Sequence, residues 1–281
     1  MGIFDGELIA SDIDLTFLDH KTQPVARNFE ALGYFRANGG KFCFATGRSH
    51  SSLAKLIPGV EQITNAPSIL ANGSYLCDLV TDTVYDETCM DPEISPAFFA
   101  DMLARFPNNG FRIAVLDEFY IPRLTDRIWG ETEIYAGHRH VMPISEMPQS
   151  GWHKLVWHGT PEELDEIRDT MMADPRHVHY EIVKSNSFLL EAIDVRTSKG
   201  VQLKNLQNRL GAAGVPVRTW AIGDYSNDLA MLRAADVAVC PSNAIEEVKN
   251  VCGVTVCSCD DGAVADLVEY IEREKTKRVS Q

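Results

Sequence analysis

The chain has 281 residues, with 26 Lys and Arg against 40 Asp and Glu and a formal net charge of −14. This acidic balance argues against nucleic acid or an anionic membrane as a partner, because phosphate-rich surfaces are bound through clustered basic faces. Hydrophobic residues make up 45% and charged residues 23%, so the chain can bury a sizeable core and bulk disorder is excluded.

Membrane and secretion signals are missing from the sequence. No apolar run approaches the roughly 18 residues that a spanning helix needs, and the first ten residues lack the basic and then apolar pattern of a signal peptide. We therefore expect a cytoplasmic protein. The seven cysteines are odd in number and scattered through mostly apolar stretches, which favours reduced thiols over a disulfide framework.

The first 82 residues predict alternating strands and helices. Three short apolar runs at 8–11, 41–45 and 68–71 predict buried strands, and helical spacing of apolar residues predicts helices between them. Each predicted strand ends at a polar residue: Asp12, Thr46 or Asn72. This rhythm is typical of a parallel sheet with crossover helices.

The pattern changes in the middle of the chain. Asp91-Pro92 predicts the start of one helix, and Thr160 followed by Glu163 predicts a capping box at the start of another. Apolar runs at 111–116, 153–157 and 188–193 predict strands beside these helices. We expect residues 83–189 to form an inserted α+β unit, and residues 1–82 and 190–281 to form an α/β core.

The strand and helix rhythm returns near the carboxyl terminus. Strands are predicted at 217–222, 236–239 and 254–256, with helices through Leu229 and Leu232 and over 263–274. The first of these strands ends at Gly223-Asp224, and Asp228 follows four residues later. Since ligands bind beyond the carboxyl ends of parallel strands, we expect these acids to lie near Asp12 and Asp14.

A cluster of carboxylates would need a counter-charge, because two like charges at ~4 Å repel by about 4 kcal/mol at an effective dielectric of 20. Mg²⁺ fits this demand, since it prefers oxygen ligands and keeps substrate phosphate in its shell. The remaining phosphate oxygens would be bound by Lys199, Thr46 and the backbone N–H groups of the Gly47 turn. The sequence thus predicts a magnesium site beside a phosphate site.

The spacing of Asp12 and Asp14 points to a reaction at phosphorus. A carboxylate at a strand end can act as a nucleophile and form an aspartyl phosphate, which splits one hard step into two. A second carboxylate two residues later can reach the same face. It could protonate the leaving alkoxide and later activate water.

Four stretches together resemble the motifs of the haloacid dehalogenase superfamily phosphatases, and specifically of the Cof-type branch with a C2-type cap. They are DIDLT at 12–16, TGR at 46–48, KG at 199–200 and GDYSND at 223–228. They occur in the family's order and cover both halves of the core, with a cap-sized insertion between them. The resemblance implies a Rossmann-like parallel-sheet core with an inserted α+β cap.

The resemblance also implies roles for individual residues. Asp12 would be the nucleophile, Asp14 the acid and base, and Lys199 would steady the nucleophile and the phosphoryl group. The metal site would use the Asp12 carboxylate, the Asp14 backbone carbonyl, Asp224 and Asp228. Phosphate and leaving group would be bound by Thr46, Gly47, Arg48, Asn72 and Asn227. For Arg48 the sequence leaves open whether it contacts substrate or caps the following helix.

Leu15 departs from the family pattern, which has glycine at this position. Since glycine permits a positive φ, Leu15 predicts either an ordinary backbone conformation or an apolar side chain that points at the cap. Outside the motifs, Trp129, Tyr135, Trp152 and Trp157 are interpreted as cap core rather than a sugar-stacking wall. The pairs His138/His140 and His177/His179 are interpreted as surface strand faces rather than metal ligands.

The sequence therefore predicts a Mg²⁺-dependent phosphomonoesterase that acts on small metabolites such as sugar phosphates. A phosphomutase or phosphotransferase would use the same aspartyl phosphate and pass it to another acceptor, so it remains an alternative. A non-catalytic phosphate-binding module is disfavoured, because it would not need a second acid at Asp14 or a cap that excludes solvent. No obligate protein partner is inferred.

Overall fold

The computed structural model describes residues 2–124 and 138–279. In chain order the elements are β1 (Glu7–Ser11), α1 (Ala26–Ala37), β2 (Lys41–Phe44), α2 (His50–Leu56), α3 (Val60–Ile63), β3 (Ser68–Leu70), β4 (Tyr75–Asp78), β5 (Thr83–Tyr85), α4 (Ser95–Arg105), β6 (Gly110–Val115), β7 (Glu118–Ile121), β8 (Arg139–Val141), β9 (Lys154–His158), α5 (Pro161–Ala173), β10 (Tyr180–Asn186), β11 (Leu189–Asp194), α6 (Lys199–Ala212), β12 (Arg218–Ile222), α7 (Leu229–Ala234), β13 (Val237–Pro241), α8 (Glu246–Lys249), β14 (Val254–Val256) and α9 (Ala263–Val279).

The core is a five-stranded parallel sheet in the order β14-β13-β12-β1-β2. All five residues of β1 are buried, as expected for the central strand of a parallel sheet that is covered on both faces. One face packs against α1 and α9 through residues such as Leu32 and Leu267. The other face packs against α6 and α7 through residues such as Leu203 and Met231. The predicted parallel sheet with crossover helices is confirmed.

A three-stranded antiparallel sheet, β3-β4-β5, extends the core at the β2 side. It joins the main sheet through a parallel bridge between Ala45 and Ile69, just beyond the end of β2. Asn72 follows β3 with φ 58°, so the backbone turns sharply where this strand ends. The turn brings the Asn72 N–H within 3.0 Å of the Thr46 carbonyl oxygen and ties two strand ends together.

The second large sheet belongs to the middle of the chain and has the order β10-β11-β9-β6-β7-β8. Its strands are antiparallel except for the β7 and β8 pair. One face packs against α4 and α5 in an apolar core that contains Phe99, Phe111, Trp152, Trp157 and Ile167. Trp152 and Trp157 are therefore core residues, as interpreted; Trp129 and Tyr135 lie outside the described residues.

The capping box at α5 is present, because the Thr160 side chain accepts from the Glu163 N–H and the Glu163 carboxylate accepts from the Thr160 N–H. The start of α4 was predicted too early. Residues 92–94 form a turn, in which Asp91 accepts the Glu93 N–H, and the helix begins at Ser95. The surface-strand interpretation holds for His140, which lies on β8, whereas His177 and His179 lie in a 3₁₀ turn.

That the inserted unit is a separate domain remains a prediction. Strand pairing favours boundaries between core and insertion slightly later in the chain than residues 83 and 189. β5 pairs with β4 on the core side, so the first junction fits better after Tyr85. β11 pairs with β9 and β10 in the second sheet, so the second junction fits better after Asp194. We call residues 86–194 the cap.

Two other expectations can be compared with the structure. Within the described residues, none of the helices is both long enough and apolar enough to cross a membrane. All seven cysteines are free thiols, and Cys43, Cys77, Cys240 and Cys259 among them are buried. The prediction of reduced cysteines agrees with this arrangement.

Candidate active site

The structure brings the predicted acids together because β1 and β12 are neighbouring parallel strands. Asp12 directly follows β1 and donates its N–H to the carbonyl oxygen of Ile222, the last residue of β12, at 2.9 Å. Asp224 lies two residues beyond the same strand end. Asp228 lies in the 3₁₀ turn that follows. The three carboxylates are buried, and one oxygen of each lies within 4.8 Å of the others.

Lys199 lies at the centre of this cluster. It is the first residue of α6, which Ser198 caps by accepting the Val201 N–H. Its ammonium donates to Asp12 Oδ1 and to Asp228 Oδ1, each at 2.7 Å. Burial disfavours the charge on Lys199, but the two carboxylates outweigh burial and raise its pKa. Lys199 therefore stays a cation and balances part of the acidic charge.

One ammonium does not balance three buried carboxylates. Burial and the nearby Asp228 carboxylate raise the pKa of Asp12, and the same two causes raise the pKa of Asp224 to about 7. In a solvent-poor site such shifts mark an excess of negative charge. A bound cation would remove that excess.

The donor atoms fit a hard divalent cation. Both oxygens of Asp228 are occupied, because Oδ1 accepts from Lys199 and Oδ2 accepts the N–H groups of Asp224 and Tyr225. Asp224 Oδ1 accepts from the Thr16 hydroxyl at 3.0 Å. Among the described contacts, Asp224 keeps one oxygen for a metal. Asp12 Oδ1 has a second lone pair beside its bond to Lys199, so it can also ligate a metal and leave the other Asp12 oxygen free. Asp228 thus shapes the loop that presents Asp224, and an all-oxygen set of this kind suits Mg²⁺.

Asp14 lies at the rim of the cluster and pairs with Arg48. The guanidinium donates from Nη2 to Asp14 Oδ1 at 2.7 Å and from Nε to Oδ2 at 3.0 Å. This bidentate geometry is the strong form of an arginine and carboxylate pair. The sequence left open whether Arg48 contacts substrate or caps the following helix. Its position beside Asp14 at the site favours contact with substrate.

The turn after β2 carries Thr46 and Gly47, the residues predicted to bind phosphate, and we call it the phosphate loop. Thr46 is buried, and its hydroxyl accepts the Arg48 N–H at 3.2 Å. Gly47 has no room for a side chain, because a Cβ at this position would lie 2.9 Å from Asn72 Oδ1 and 3.3 Å from Lys154 Nζ. A larger residue at this position would therefore have to displace the side-chain ends of Asn72 and Lys154.

A cavity of about 410 Å³ lies between this cluster and the cap. Its core side is lined by Asp12, Asp14, Thr46, Gly47, Arg48, Asp224 and Asn227. Its cap side is lined by Arg112, Lys154, Ser185, Ser187, Leu189 and Glu191. This volume suits a small metabolite, and charged side chains on both walls lie among apolar surface from residues such as Leu15, Leu18 and Tyr225.

Sequence reasoning missed the charged residues of the cap wall. Arg112 and Glu191 both lie opposite Val156 in the strand register, and Lys154 lies two residues before Val156. Residues at these positions share one face of the sheet, opposite the face that forms the cap core. The sequence signal was a single charge inside each apolar strand, which by itself does not separate a buried polar face from a solvent-facing one.

Two of these residues tie the cap to the phosphate loop. The Lys154 ammonium donates to the Gly47 carbonyl oxygen at 2.6 Å and to Glu191 Oε1 at 2.9 Å. Glu191 Oε2 accepts from the Asn72 amide. Asn72, predicted to bind substrate, therefore lies behind the loop and holds it against the cap. We call Lys154, Glu191, Asn72 and Gly47 the cap clamp.

The expectation of an ordinary backbone conformation at Leu15 is wrong. Its φ is 57°, so it adopts the left-handed conformation that glycine usually supplies rather than an ordinary one. The second alternative describes it better, because the side chain is 38% exposed and lines the cavity that faces the cap. Asn243 helps to hold this turn by donating its amide to the Leu15 carbonyl oxygen at 2.9 Å.

Comparison with known proteins agrees with this architecture. Phosphatase YwpJ of Bacillus subtilis is 25% identical over 293 residues, which covers 94% of this chain and 99% of YwpJ. Pyridoxal phosphate phosphatase YbhA of Escherichia coli is 24% identical over 277 residues, which covers 94% of this chain and 97% of YbhA. The solved structure of the HAD subclass IIB sugar phosphatase BT4131 has the same fold, with a TM-score of 0.78 and 19% identity over 94% of this chain and 98% of that one.

The family model for haloacid dehalogenase-like hydrolases matches residues 9–268, which include both halves of the core and the whole cap. The resemblance and the fold class predicted from the sequence are both confirmed by these matches. The chain belongs to the haloacid dehalogenase-like hydrolases and is a phosphatase of that family.

Proposed function

We propose that this phosphatase hydrolyses monoesters of small polar metabolites, with sugar phosphates as the substrate class, through an aspartyl phosphate on Asp12. The observation that carries the proposal is the position of Asp12. Its carboxylate is held by the Lys199 ammonium at 2.7 Å, lies at the floor of a cavity between core and cap, and keeps one oxygen free of that contact.

In the first step that oxygen attacks phosphorus in line with the ester oxygen. A bond forms between Asp12 and phosphorus, and the bond from phosphorus to the ester oxygen breaks. Asp14 supplies the proton that the departing alkoxide takes up. For this role Asp14 must leave its bidentate pair with Arg48, so Arg48 exchanges the Asp14 carboxylate for an oxygen of the bound phosphate.

In the second step water attacks phosphorus and regenerates the Asp12 carboxylate. Asp14, now ionised, accepts the proton of that water, and inorganic phosphate leaves. Lys199 stays charged through both steps and offsets the negative charge that collects around Asp12. The Thr46 hydroxyl and the N–H groups of the loop at Gly47 bind the phosphate oxygens that do not react.

Mg²⁺ is the proposed cofactor. Asp12, Asp224 and the Asp14 backbone carbonyl would hold it. Asp228, also predicted as a ligand, already accepts hydrogen bonds at both oxygens, so we propose that it positions Asp224 instead. The ion would supply positive charge that offsets the charge of the phosphoryl oxygens. The charge of the site supports a bound cation, because burial and the Asp228 carboxylate raise the pKa of both Asp12 and Asp224.

The polar cap wall supports a leaving group with several hydroxyls. Arg112, Lys154, Glu191, Ser185 and Ser187 offer donors and acceptors to the space beyond the phosphate site. BT4131 is named as a sugar phosphatase and YbhA as a pyridoxal phosphate phosphatase, so the named substrates of proteins similar to this chain differ.

The test is a panel of sugar phosphates, pyridoxal phosphate and aryl phosphates, assayed for phosphate release with Mg²⁺ and after chelation and ranked by kcat/KM. We expect the sugar phosphates to rank first, release to require the cation, and D12N to be inactive while folded. Isomerised sugar phosphate without release of inorganic phosphate would establish a mutase instead. Turnover by D12N equal to that of the wild type would overturn the assignment of Asp12 as the nucleophile.

A further inference from the structure

Three groups of one histidine, one cysteine and one acidic residue lie outside the carboxylate cluster in the described part of the chain. In each group the candidate ligand atoms lie within 4.8 Å of one another. The groups are His20/Cys259/Asp260, His50/Cys77/Asp82 and His153/Cys89/Glu87. Imidazole and thiolate together favour Zn²⁺ and similar transition metals over Mg²⁺.

The first group has the spacing of a tetrahedral site. With Asp260 Oδ1 as the ligand oxygen, His20 Nδ1 lies 3.4 Å from Cys259 Sγ and 3.0 Å from Oδ1, and Cys259 Sγ lies 3.9 Å from Oδ1. Zn²⁺ bonds of ~2.3 Å to sulfur and ~2.0 Å to nitrogen or oxygen give ligand separations of about 3.5 Å and 3.3 Å in a tetrahedron. Each of the three distances differs from these values by about 0.4 Å or less.

We propose that His20, Cys259 and Asp260 form a second metal site, which binds a transition-metal dication of the Zn²⁺ type. The ligands are His20 Nδ1, Cys259 Sγ and one oxygen of Asp260, and water completes the tetrahedron. Three protein ligands and a water are a common zinc arrangement. The His20 and Asp260 side chains are each 53% exposed, so solvent and metal approach from their side, and the buried Cys259 thiol forms the inner end of the site.

The backbone holds the ligands in place before any metal binds. Asp260 Oδ1 accepts the His20 N–H at 3.0 Å, and Asn243 Oδ1 accepts the Cys259 N–H at 2.9 Å. The bound metal would join the turn after the nucleophile strand to the 3₁₀ turn that precedes α9. Leu18 and Asp19, directly before His20, line the active-site cavity, so the second site lies at its border.

The protonation states are consistent with metal binding. Hydrogen bonds from the backbone N–H and the imidazole of His20 lower the pKa of Asp260, so this ligand is already an anion. Burial raises the pKa of the Cys259 thiol to about 11, so the metal must displace a proton from sulfur. Metal affinity at this site therefore increases with pH.

The other two groups are weaker candidates and provide controls. His153 Nδ1 accepts the Leu116 N–H at 3.0 Å, so the neutral ring carries its proton on Nε2, the atom that faces Glu87 and Cys89. In the second group the Asp82 side chain is 75% exposed, and Cys77 Sγ lies 4.0 Å from its nearer oxygen.

Co²⁺ is the probe for the test, because cobalt bound to thiolate gives a charge-transfer band in the near ultraviolet, which an all-oxygen site cannot give. The full chain, stripped of metal and saturated with Mg²⁺, is titrated with Co²⁺ and then with Zn²⁺ in competition. We expect one equivalent of Co²⁺ to produce the band and Zn²⁺ to displace it. Cys259→Ser should abolish the band, whereas Cys77→Ser and Cys89→Ser should retain it.

Two further variants separate ligation from folding. His20→Ala and Asp260→Asn change exposed side chains, and circular dichroism is used to check that both variants fold. Each should weaken Zn²⁺ binding by more than the ~10-fold to 100-fold that loss of an outer-shell partner costs. Absence of the band in the wild type, its persistence in C259S, or unchanged affinity in both exposed variants would overturn the proposal. The readout does not use phosphatase activity, so it stands apart from the proposed function.

Discussion

Replacement of Lys154 by methionine tests the cap clamp. Lys154 and Glu191 are both buried, with side chains 6% and 4% exposed, and their charged atoms lie 2.9 Å apart. The substitution keeps the length and the apolar stem of the side chain but removes its charge. Of its hydrogen bonds among the described residues, Glu191 then keeps the one from Asn72, in surroundings where its side chain is 4% exposed.

The expected loss follows from the geometry. Two unit charges at this distance attract by about 6 kcal/mol at an effective dielectric of 20, a gross value that desolvation of both groups largely offsets. Removal of one partner leaves the other charge buried and costs about 3–5 kcal/mol. K154M should therefore lower the free energy of unfolding by that amount.

The control is the double variant K154M/E191Q. Its glutamine carries no charge and still offers a carbonyl oxygen to Asn72, so most of the stability should return, to within about 1–2 kcal/mol of the wild type. Urea unfolding followed by tryptophan fluorescence reports the loss, since Trp152 and Trp157 lie in the cap core. A loss below 1 kcal/mol in K154M, or no recovery in the double variant, would refute the clamp.

Three further outcomes are expected. Gly47→Ala should raise KM for phosphate esters at least several-fold, because its Cβ would press on Asn72 Oδ1 at 2.9 Å, whereas Gly33→Ala, with open space around it, should leave KM unchanged. Leu15→Gly should raise the unfolding free energy by about 1 kcal/mol by removing a strained positive φ, and a decrease in urea titration would contradict this reasoning. Burial lowers the pKa of His153 below its usual 6.5, so the unfolded chain binds the proton first and the free energy of unfolding falls as pH drops below 6.5. His153→Gln should flatten this part of the plot of unfolding free energy against pH, and an unchanged slope would contradict the role of His153.

The core could be predicted because its signals are local. Apolar runs that end at Asp12, Thr46 and Asp224 specify parallel strands, and parallel strands place their carboxyl ends at one edge. Lys199 was predicted at the site through its match to the family's KG motif rather than through a local structural signal. The structure brings Asp12, Asp224 and Asp228 together around Lys199.

The cap wall could not be predicted, because it depends on pairing between distant strands. Glu191 and Arg112 come close because strand pairing places both opposite Val156 on β9. Each charge could equally have faced solvent on an edge strand, and the sequence does not say which strands are central. The same holds for Asn72. Its side chain lies behind the phosphate loop because it donates to Glu191 of the cap, and the sequence around Asn72 carries no information about that distant contact.

The central claim is that the Asp12 carboxylate bonds to phosphorus. Rapid quenching during turnover of a sugar phosphate, followed by borohydride reduction and peptide mapping, tests it most directly. Since an acyl phosphate is reduced to the alcohol, we expect homoserine at position 12 in the wild type and no conversion in D12N. Unmodified Asp12 during active turnover, or conversion at Asp14 instead, would contradict the account.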